Sequence, residues 1–411
     1  MKRKILPGFA VGLAFLLASA LPAAPAVSPA AAPTSAAPVA PASAAPAVPA
    51  AAPATAPAAG QFSEFEAAIA AFDAEVATAV AADAGGCVSV AVFVGNEVVW
   101  AKGYGWADIE NRIAATADTI GRTGSISKSF TAVLMMQLAE RGVLDIDEPV
   151  EDYFPEIAGL ADRPAGAPPL TFRMLASHTA GLIREPRLRG AASGPIYGWE
   201  DKILESIPNT SFQTTPLTEY SYSNIGFGML GLASSRAAGE PFMELVSELI
   251  FRPLGMDSST FTVNTPDLAR RLSVGYSRNR QSGEISAEQA TREHFGRGYK
   301  VPNGGIYSTV IDMARFAAAM MGESPVPILS AASRAEMMTP QEPAQTYGLG
   351  FTVQTSEAGV TTVGHGGSVA GYNAGLSFDP DSKVGVAMLR TTSYNPPVGR
   401  LLRTLVGAEG G

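Results

Sequence analysis

Strand patterns stand near both ends of this sequence, and helical patterns fill the middle. Apolar residues alternate or run continuously in two early segments, which Gly95 and Asn96 separate as a hairpin turn would, and in four late segments. The strand segments are 87–94, 98–102, 348–355, 361–364, 371–378 and 384–389, and the clearest helical segments are 62–82, 227–238, 242–251, 311–321 and 398–406. Because strands from both ends can join one sheet, we predict an α+β protein. Its antiparallel sheet would be built from both chain ends and flanked by helices, with a helical subdomain inserted.

The first sixty residues differ in composition from the rest. Three basic residues precede an apolar run over 5–21 that ends near small residues, which is the pattern of a secretory signal peptide. Residues 27–60 are almost all Ala and Pro and carry no charge, which favours an extended chain without a core. We predict a signal peptide over 1–26, a disordered linker over 27–60 and a globular domain over 61–411. The protein would be exported, either periplasmic or secreted, and an uncleaved N-terminus that tethers it to the membrane is the alternative.

The charge balance argues against several kinds of partner. Three of the 29 basic residues and none of the 38 acidic ones lie in the first sixty positions, so 26 basic residues face 38 acidic ones from Gln61 on. The resulting net charge of −12 disfavours nucleic acid or an anionic membrane as the partner. Cys87 is the only cysteine, so no disulfide can form within the chain, and its apolar surroundings predict a small buried residue.

Ser125 and Lys128 form the first pattern that carries chemistry. After Gly124 the sequence becomes apolar with helical spacing, and it stays so until Gly142, a residue type that often ends helices. Side chains three residues apart share a helix face, and a desolvated amine there can accept the proton of the hydroxyl. Free N–H groups at the helix start favour negative charge on the resulting nucleophile. The alternative is a capping serine and a lysine that reaches to solvent, since such a pair often occurs by chance.

Two later stretches add polar groups. Tyr222 and Asn224 stand two residues apart in a loop before a helical pattern, where a packed tyrosine and a helix-capping asparagine are the structural alternative. The run over 363–371 is rich in glycine, contains one histidine and one serine, and lies between two strand patterns. Glycines there would let a ligand approach the backbone, and a bulge or tight turn is the alternative. Taken singly, these stretches leave the function open.

Together and in this order, the three stretches resemble the serine β-lactamase and penicillin-binding-protein superfamily, whose catalytic motifs include S-x-x-K. The sequence is most similar to class C β-lactamases, D-Ala-D-Ala carboxypeptidases, D-aminopeptidases and family VIII esterases, over roughly residues 85–395. Further stretches that look like landmarks of the superfamily are 175–182, 253–256, 304–309 and 347–350. The resemblance implies a β-lactamase/transpeptidase-like fold and a serine hydrolase that forms an acyl-enzyme without a cofactor.

The resemblance also implies a role for each catalytic residue. Ser125 would be the acylated nucleophile, and Lys128 would hold or take its proton. Tyr222 would be the general base or proton relay, its phenolate favoured by nearby cations. The backbone N–H groups of Ser125 and Ser368 would polarise the scissile carbonyl.

Four positions would contact the substrate: Asn224, His365, Gly366 and Gly367. His365 replaces the lysine of the superfamily's K-T-G motif, and Gly366 replaces its threonine. Histidine is mostly neutral at pH 7, because its unperturbed pKa is about 6.5. Some peptidases and esterases of the superfamily have histidine there. We therefore predict an esterase or D-amino-acid peptidase with weak or absent β-lactamase activity, which would prefer carboxylate-bearing substrates below pH 6.5.

The other two histidines have structural interpretations. His178 would hold a loop by hydrogen bonds and His294 would be exposed; no pair of histidines has metal spacing, so no metal is predicted.

An α/β-hydrolase is disfavoured because no histidine follows residue 365. A non-catalytic envelope protein that binds peptidoglycan or another partner stays as the lesser alternative. Esters, D-peptides and β-lactams all remain open as small-molecule substrates, and so does the oligomeric state.

Overall fold

A computed structural model describes residues 62–83, 85–279, 281–294 and 296–407. The predicted signal peptide over 1–26 and linker over 27–60 lie outside the described residues. Within the described ranges, no helix combines the length and the apolar character that a membrane span requires.

Strands from both parts of the chain form one antiparallel sheet. The strands are β1 (Cys87–Val94), β2 (Glu97–Asp108), β3 (Ile113–Ala114), β4 (Gly121–Arg122), β5 (Ser277–Arg278), β6 (Ile285–Ser286), β7 (Tyr307–Ser308), β8 (Thr352–Thr355), β9 (Thr361–Val369), β10 (Tyr372–Phe378) and β11 (Val384–Arg390). Seven of them lie in the order β3-β2-β1-β11-β10-β9-β8. The pairing of β1 with β11 joins the early strands to the late ones, which confirms the prediction of a sheet from both ends.

Helices cover both faces of this sheet. They are α1 (Ser63–Asp83), α2 (Ser127–Glu140), α3 (Phe172–Ala176), α4 (Trp199–Ser206), α5 (Asn224–Ala238), α6 (Phe242–Val246), α7 (Pro266–Arg271), α8 (Glu288–Glu293), α9 (Val301–Gly304), α10 (Val310–Met321), α11 (Ala331–Met337) and α12 (Val398–Leu405). Helices α1 and α12 pack their apolar side chains on one face, and the larger core lies on the other face, between the sheet, α2, α5 and α10. Burial of one large apolar side chain contributes roughly 1.5–3 kcal/mol, so two such cores stabilise the sheet from both sides.

Two short paired strands hold together the two ends of the inserted helical segment. Helices α2 to α9 lie between β4 and β7, and these two short strands pair with each other. Helix α2 runs through the middle of the molecule and is buried from Ser127 to Leu138. Its polar groups therefore need partners inside the protein. The Ser129 hydroxyl donates to the Gly350 carbonyl at 2.6 Å, and the Thr131 hydroxyl donates to the Pro302 carbonyl at 2.6 Å.

Several local predictions need correction. The late strand predicted from residue 348 begins only at Thr352, because the preceding loop packs on α2. Strand β9 continues to Val369 through the glycine-rich run, which therefore lies within a strand and not between two strands. His294 is half-buried, with its Nδ1 atom 3.0 Å from the Tyr307 hydroxyl, so its predicted exposure is wrong. Cys87 is buried, as predicted.

Candidate active site

Ser125 lies where the buried helix meets the edge of the sheet. It belongs to a 3-10 turn, Gly124–Ile126, that leads into α2. Gly124 has φ +52, and a Cβ atom there would lie 2.7 Å from the backbone nitrogen of Ser368. A Cβ atom on Gly367 would lie 1.9 Å from the Thr123 carbonyl oxygen. Glycine is thus required on both sides for β9 to approach the turn, and this approach brings the N–H groups of Ser125 and Ser368 to one place.

Lys128 lies one turn after Ser125 and is fully buried. Its Nζ atom is 3.1 Å from the Ser125 hydroxyl oxygen, 2.7 Å from the Asn224 amide oxygen and 3.3 Å from the Asn303 carbonyl oxygen. The structural alternative of a lysine that reaches to solvent is therefore wrong. Every polar contact of this amine is made inside the protein, and one of them is to the predicted nucleophile.

The surroundings of Lys128 favour a neutral amine. Burial lowers its pKa well below the usual value of 10.5, and the charges of Lys300, Arg184 and Arg297 lower it further, while Glu185 opposes them. A neutral amine has two hydrogens and one lone pair. Two of its neighbours are carbonyl oxygens that only accept, so both hydrogens can be donated to them. The lone pair then faces the Ser125 hydroxyl, which is the arrangement of a base beside a nucleophile.

Tyr222 approaches the same hydroxyl from the loop just before α5. It forms a side-chain hydrogen bond with Ser125, and the Lys128 Nζ atom lies 4.8 Å from its ring centre. The Arg184 guanidinium lies 4.8 Å from the same ring centre. Burial raises the pKa of Tyr222, and this outweighs the hydrogen bond to Ser125 and the charge of Arg184, which lower it. The expectation that nearby cations favour the phenolate is thus wrong in its net direction.

Asn224 is free to serve the site because another residue caps its helix. The Ser223 hydroxyl accepts from the Gly226 N–H at 3.0 Å, so the capping role considered for Asn224 belongs to its neighbour. The Asn224 amide oxygen contacts Lys128, and its nitrogen donates to Glu185 at 2.6 Å. His178 fixes this loop, as predicted, because its Nδ1 atom accepts from the Ser223 N–H at 3.0 Å.

His365 reaches the site as a neutral ring whose two nitrogens are both occupied. Its Nδ1 atom lies 2.6 Å from the Gly366 carbonyl oxygen, which can only accept, so Nδ1 carries the hydrogen. Its Nε2 atom is then the acceptor for the Tyr347 hydroxyl at 3.0 Å. Burial, and next the charge of Lys128, lowers the pKa of His365 to about 3. The premise that this residue titrates near pH 6.5 is wrong.

Replacing His365 with glutamine is expected to flatten the pH dependence of stability. Between pH 6.5 and 3 the unfolded chain binds a proton at residue 365 and the folded chain does not, so wild-type stability falls as the pH is lowered through this window. The slope is about 1.4 kcal/mol per pH unit for one such group. Denaturant unfolding of both proteins at pH 7.0, 5.5 and 4.5 measures the difference. A difference that is the same at all three pH values would contradict the assignment.

A cavity of about 450 Å³ opens over these groups. Its lining includes Ser125, Tyr222 and His365, the β9 residues Gly366, Gly367 and Ser368, and two arginines that sequence reasoning missed, Arg184 and Arg390. Glu185, Lys300 and Asn303 were missed as well. Only Asn303 had a sequence signal, because it directly precedes the segment 304–309 noted above. The others are single charged residues in loops or at a strand end, where spacing says nothing about chemistry.

The described part of the chain offers no obvious place for a metal ion. Within it, no three His, Cys, Asp or Glu side chains come together as metal ligands would. The groups that can act on a substrate are the hydroxyl, the buried amine, the phenol, the Asn224 amide and two backbone N–H groups. This set can form and break an acyl bond to a serine oxygen.

Comparisons with known proteins point in one direction. A family model described as Beta-lactamase matches residues 72–410. The D-alanyl-D-alanine-carboxypeptidase/endopeptidase AmpH of Escherichia coli (strain K12) is 29% identical over 231 residues, which make up 56% of this chain and 56% of that protein. The chain thus spans little more than half the length of this curated relative.

Solved structures match a larger share of the chain. The octameric penicillin-binding protein homologue from Pyrococcus abyssi is 26% identical, with a TM-score of 0.69 over 82% of this chain and 77% of that one. The D-amino acid amidase from Ochrobactrum anthropi SV3 is 22% identical, with a TM-score of 0.69 over 84% of this chain and 99% of that one. At 22% identity, the similarity to the D-amino acid amidase shows a shared fold only.

Proposed function

Because the chain belongs to the Beta-lactamase family, we propose that it is a serine hydrolase that cleaves an ester or amide through an acyl-enzyme on Ser125. The observation that carries this proposal is the fully buried Lys128 amine, 3.1 Å from the Ser125 hydroxyl. A buried amine with a lowered pKa is costly to the fold, and its partners leave its lone pair directed at that hydroxyl. Such an arrangement is typical of an activated nucleophile.

In the proposed acylation step, the Ser125 oxygen bonds to the substrate carbonyl carbon while its proton passes to Lys128. The N–H groups of Ser125 and Ser368 bind the oxyanion that forms. Tyr222, protonated in the free protein, donates its proton to the leaving oxygen or nitrogen as the bond to the carbonyl carbon breaks. The lysine then reprotonates the tyrosine, so that both end the step as they began. In deacylation, water takes the place of the leaving group. Tyr222 passes its proton to Lys128 and takes one from water as the water oxygen bonds to the acyl carbon. Lys128 then returns a proton to the Ser125 oxygen as its bond to the acyl group breaks.

The substrate class we favour is a carboxylic ester or a D-amino-acid peptide. His365 offers no cation where the family motif has lysine, and Gly366 offers no hydroxyl, which removes two groups that would bind the carboxylate of a β-lactam. AmpH, which is similar to this chain, is a D-alanyl-D-alanine-carboxypeptidase/endopeptidase. The alternative is therefore β-lactamase or D-Ala-D-Ala carboxypeptidase activity. The sequence over 1–26 and 27–60 supports export, so we propose a periplasmic or secreted enzyme with peptidoglycan among its candidate targets.

A hydrolysis panel tests the proposed function. The purified protein is given a short-chain nitrophenyl ester, a D-Ala-D-Ala peptide and a chromogenic cephalosporin, and covalent labelling by a fluorophosphonate is followed in parallel. We expect labelling at Ser125 and turnover of the ester at least tenfold above that of the cephalosporin. Efficient turnover of the cephalosporin, or release of the C-terminal residue from the D-Ala-D-Ala peptide, would favour the alternative. An unlabelled Ser125 with no turnover of any substrate would identify a non-catalytic binding protein instead.

A further inference from the structure

A chain of polar contacts continues from Lys128 through residues that the proposed reaction does not use. Asn224 contacts Lys128 with its amide oxygen and Glu185 with its amide nitrogen, at 2.7 and 2.6 Å. The Lys300 Nζ atom lies 3.2 Å and 3.0 Å from the two Glu185 carboxylate oxygens. The Tyr299 hydroxyl donates to the same carboxylate. Glu185 lies in the loop that follows α3, whereas Tyr299 and Lys300 lie in the 3-10 turn before α9, so folding brings the two segments together.

Glu185 decides which end of the Asn224 amide faces Lys128. The oxygen and nitrogen of an amide have nearly the same shape, so a neighbour must select between the two orientations. An ionised carboxylate only accepts hydrogen bonds, so the amide nitrogen must point toward Glu185. The oxygen then points toward Lys128 and accepts one of its hydrogens. The reverse orientation would direct N–H groups at the amine, where they would compete with Ser125 for its lone pair.

The same ion pair also acts on Lys128 through its charges. Glu185 raises the pKa of Lys128, whereas Lys300 has the largest lowering effect after burial. The other charged or titratable groups that face this amine are Arg184, Arg297, Tyr222, His178 and His365. Both histidines have pKa values well below 6.5, so they stay neutral near pH 7. Glu185 and Lys300 are thus hydrogen-bonded to each other and have opposite effects on the pKa of Lys128.

We propose that Glu185 is a positioning residue that holds the Asn224 amide oxygen against Lys128, and that the opposing charges of Glu185 and Lys300 each change how readily Lys128 takes up a proton. The inference rests on the proposed function, because it assumes that Lys128 accepts the proton of Ser125. It adds two residues outside the cavity lining to the machinery of the site. Neither of them touches the reacting atoms.

The test is the pH dependence of Ser125 labelling by an uncharged fluorophosphonate. Labelling needs the neutral amine, so its rate falls on the acid side at the pKa of Lys128. In Glu185→Gln the glutamine oxygen can still accept from Asn224, but the negative charge is lost, and the acid limb should move to lower pH. In Lys300→Met a positive charge is lost, and the limb should move to higher pH. Each shift should be roughly 0.5 to 1 pH unit, an order-of-magnitude expectation for one unit charge that acts on Lys128 across an intervening residue.

Two further variants separate this role from a structural one. The double variant Glu185→Gln/Lys300→Met should return the limb close to its wild-type position, because the two charge effects oppose each other. Lys202→Met removes a lysine from a surface ion pair with Glu205 and should leave the limb unchanged. The unfolding midpoint of each variant is measured, and Lys300→Gln replaces the methionine variant if that one is not folded.

The outcomes distinguish the inference from the function on which it rests. Opposite shifts in the single variants support it. Shifts in the same direction, or no shift in either variant, would overturn the inference while wild-type labelling at Ser125 upholds the proposed function. An unlabelled wild-type Ser125 would overturn both.

Discussion

Replacing Ser125 with alanine is expected to abolish hydrolysis and covalent labelling and to leave the fold intact. The Ser125 side chain is half-buried and lines the cavity, so the loss of one hydroxyl removes the nucleophile without opening the core. Losses of about 10⁴-fold or more in kcat are typical when an enzyme loses its nucleophile. Steady-state turnover of the best panel substrate and mass spectrometry of the labelled peptide measure the effect.

Ser368→Ala is the matched control for this experiment. Ser368 also lines the cavity, but the proposed mechanism uses its backbone N–H and not its hydroxyl. Turnover should therefore stay within about tenfold of wild type, since alanine keeps the N–H. A label that maps to Ser127, Ser223 or Ser368 in the wild-type protein would show that the nucleophile is wrongly assigned.

The fold was largely predictable from periodic patterns. The hairpin of β1 and β2, the late strands and most of the long helices follow from apolar spacing, and the α+β class with a β-lactamase/transpeptidase-like fold is confirmed by the solved structures that match the chain. The errors lie where close contact overrides local pattern. Gly364, Gly366 and Gly367 together would usually indicate a turn, but all three lie within strand β9. The glycine at 367 is needed because the turn before α2 approaches the strand too closely for a side chain there.

Only the site residues that belong to recognisable motifs could be predicted from the sequence. The motif positions Ser125, Lys128, Tyr222, Asn224 and His365 do converge in the structure. Their protonation states could not be predicted, because burial decides them and burial is a property of the folded chain. The sequence suggested a His365 that titrates near pH 6.5 and a phenolate at Tyr222, but desolvation lowers the pKa of His365 and raises that of Tyr222.

Charged residues without a motif were invisible at the sequence level. Glu185 and Lys300 are 115 residues apart and meet only in the folded protein. Arg390 ends β11 opposite Asn373, and its contribution to the cavity follows from that register. The residues next to each of them in the sequence give no sign of a functional role, and a charged residue there would ordinarily be placed at the surface.

Lys128→Met and Tyr222→Phe are each expected to lower kcat/KM by about 10³-fold, within the range that proton-transfer groups contribute. Both side chains contact the same Ser125 hydroxyl, and in the proposed step the proton that Lys128 takes from Ser125 is passed on to Tyr222, so the two groups complete one proton circuit. Removing either leaves the other without a partner, and the double variant should be little worse than the more severe single variant. Single-turnover rates with one ester substrate complete this cycle. Losses that multiply would show that the two groups act in independent steps.

The stability of Lys128→Met separates a catalytic lysine from a structural one. In wild type the unfolded chain protonates residue 128 below pH 10.5, but the folded chain keeps it neutral down to its much lower pKa, so stability is lost as the pH falls through this window. Methionine binds no proton, so the variant should gain on wild type as the pH falls from 10, by about 1.4 kcal/mol per pH unit for as long as the folded-state amine stays neutral. The loss of hydrogen bonds to Asn224 and Asn303 adds a constant offset, so the slope is the quantity to measure. Denaturant unfolding at pH 7, 8, 9 and 10 gives it directly. A flat difference would mean that Lys128 is charged in the folded protein, and an amine that already holds a proton cannot accept one from Ser125.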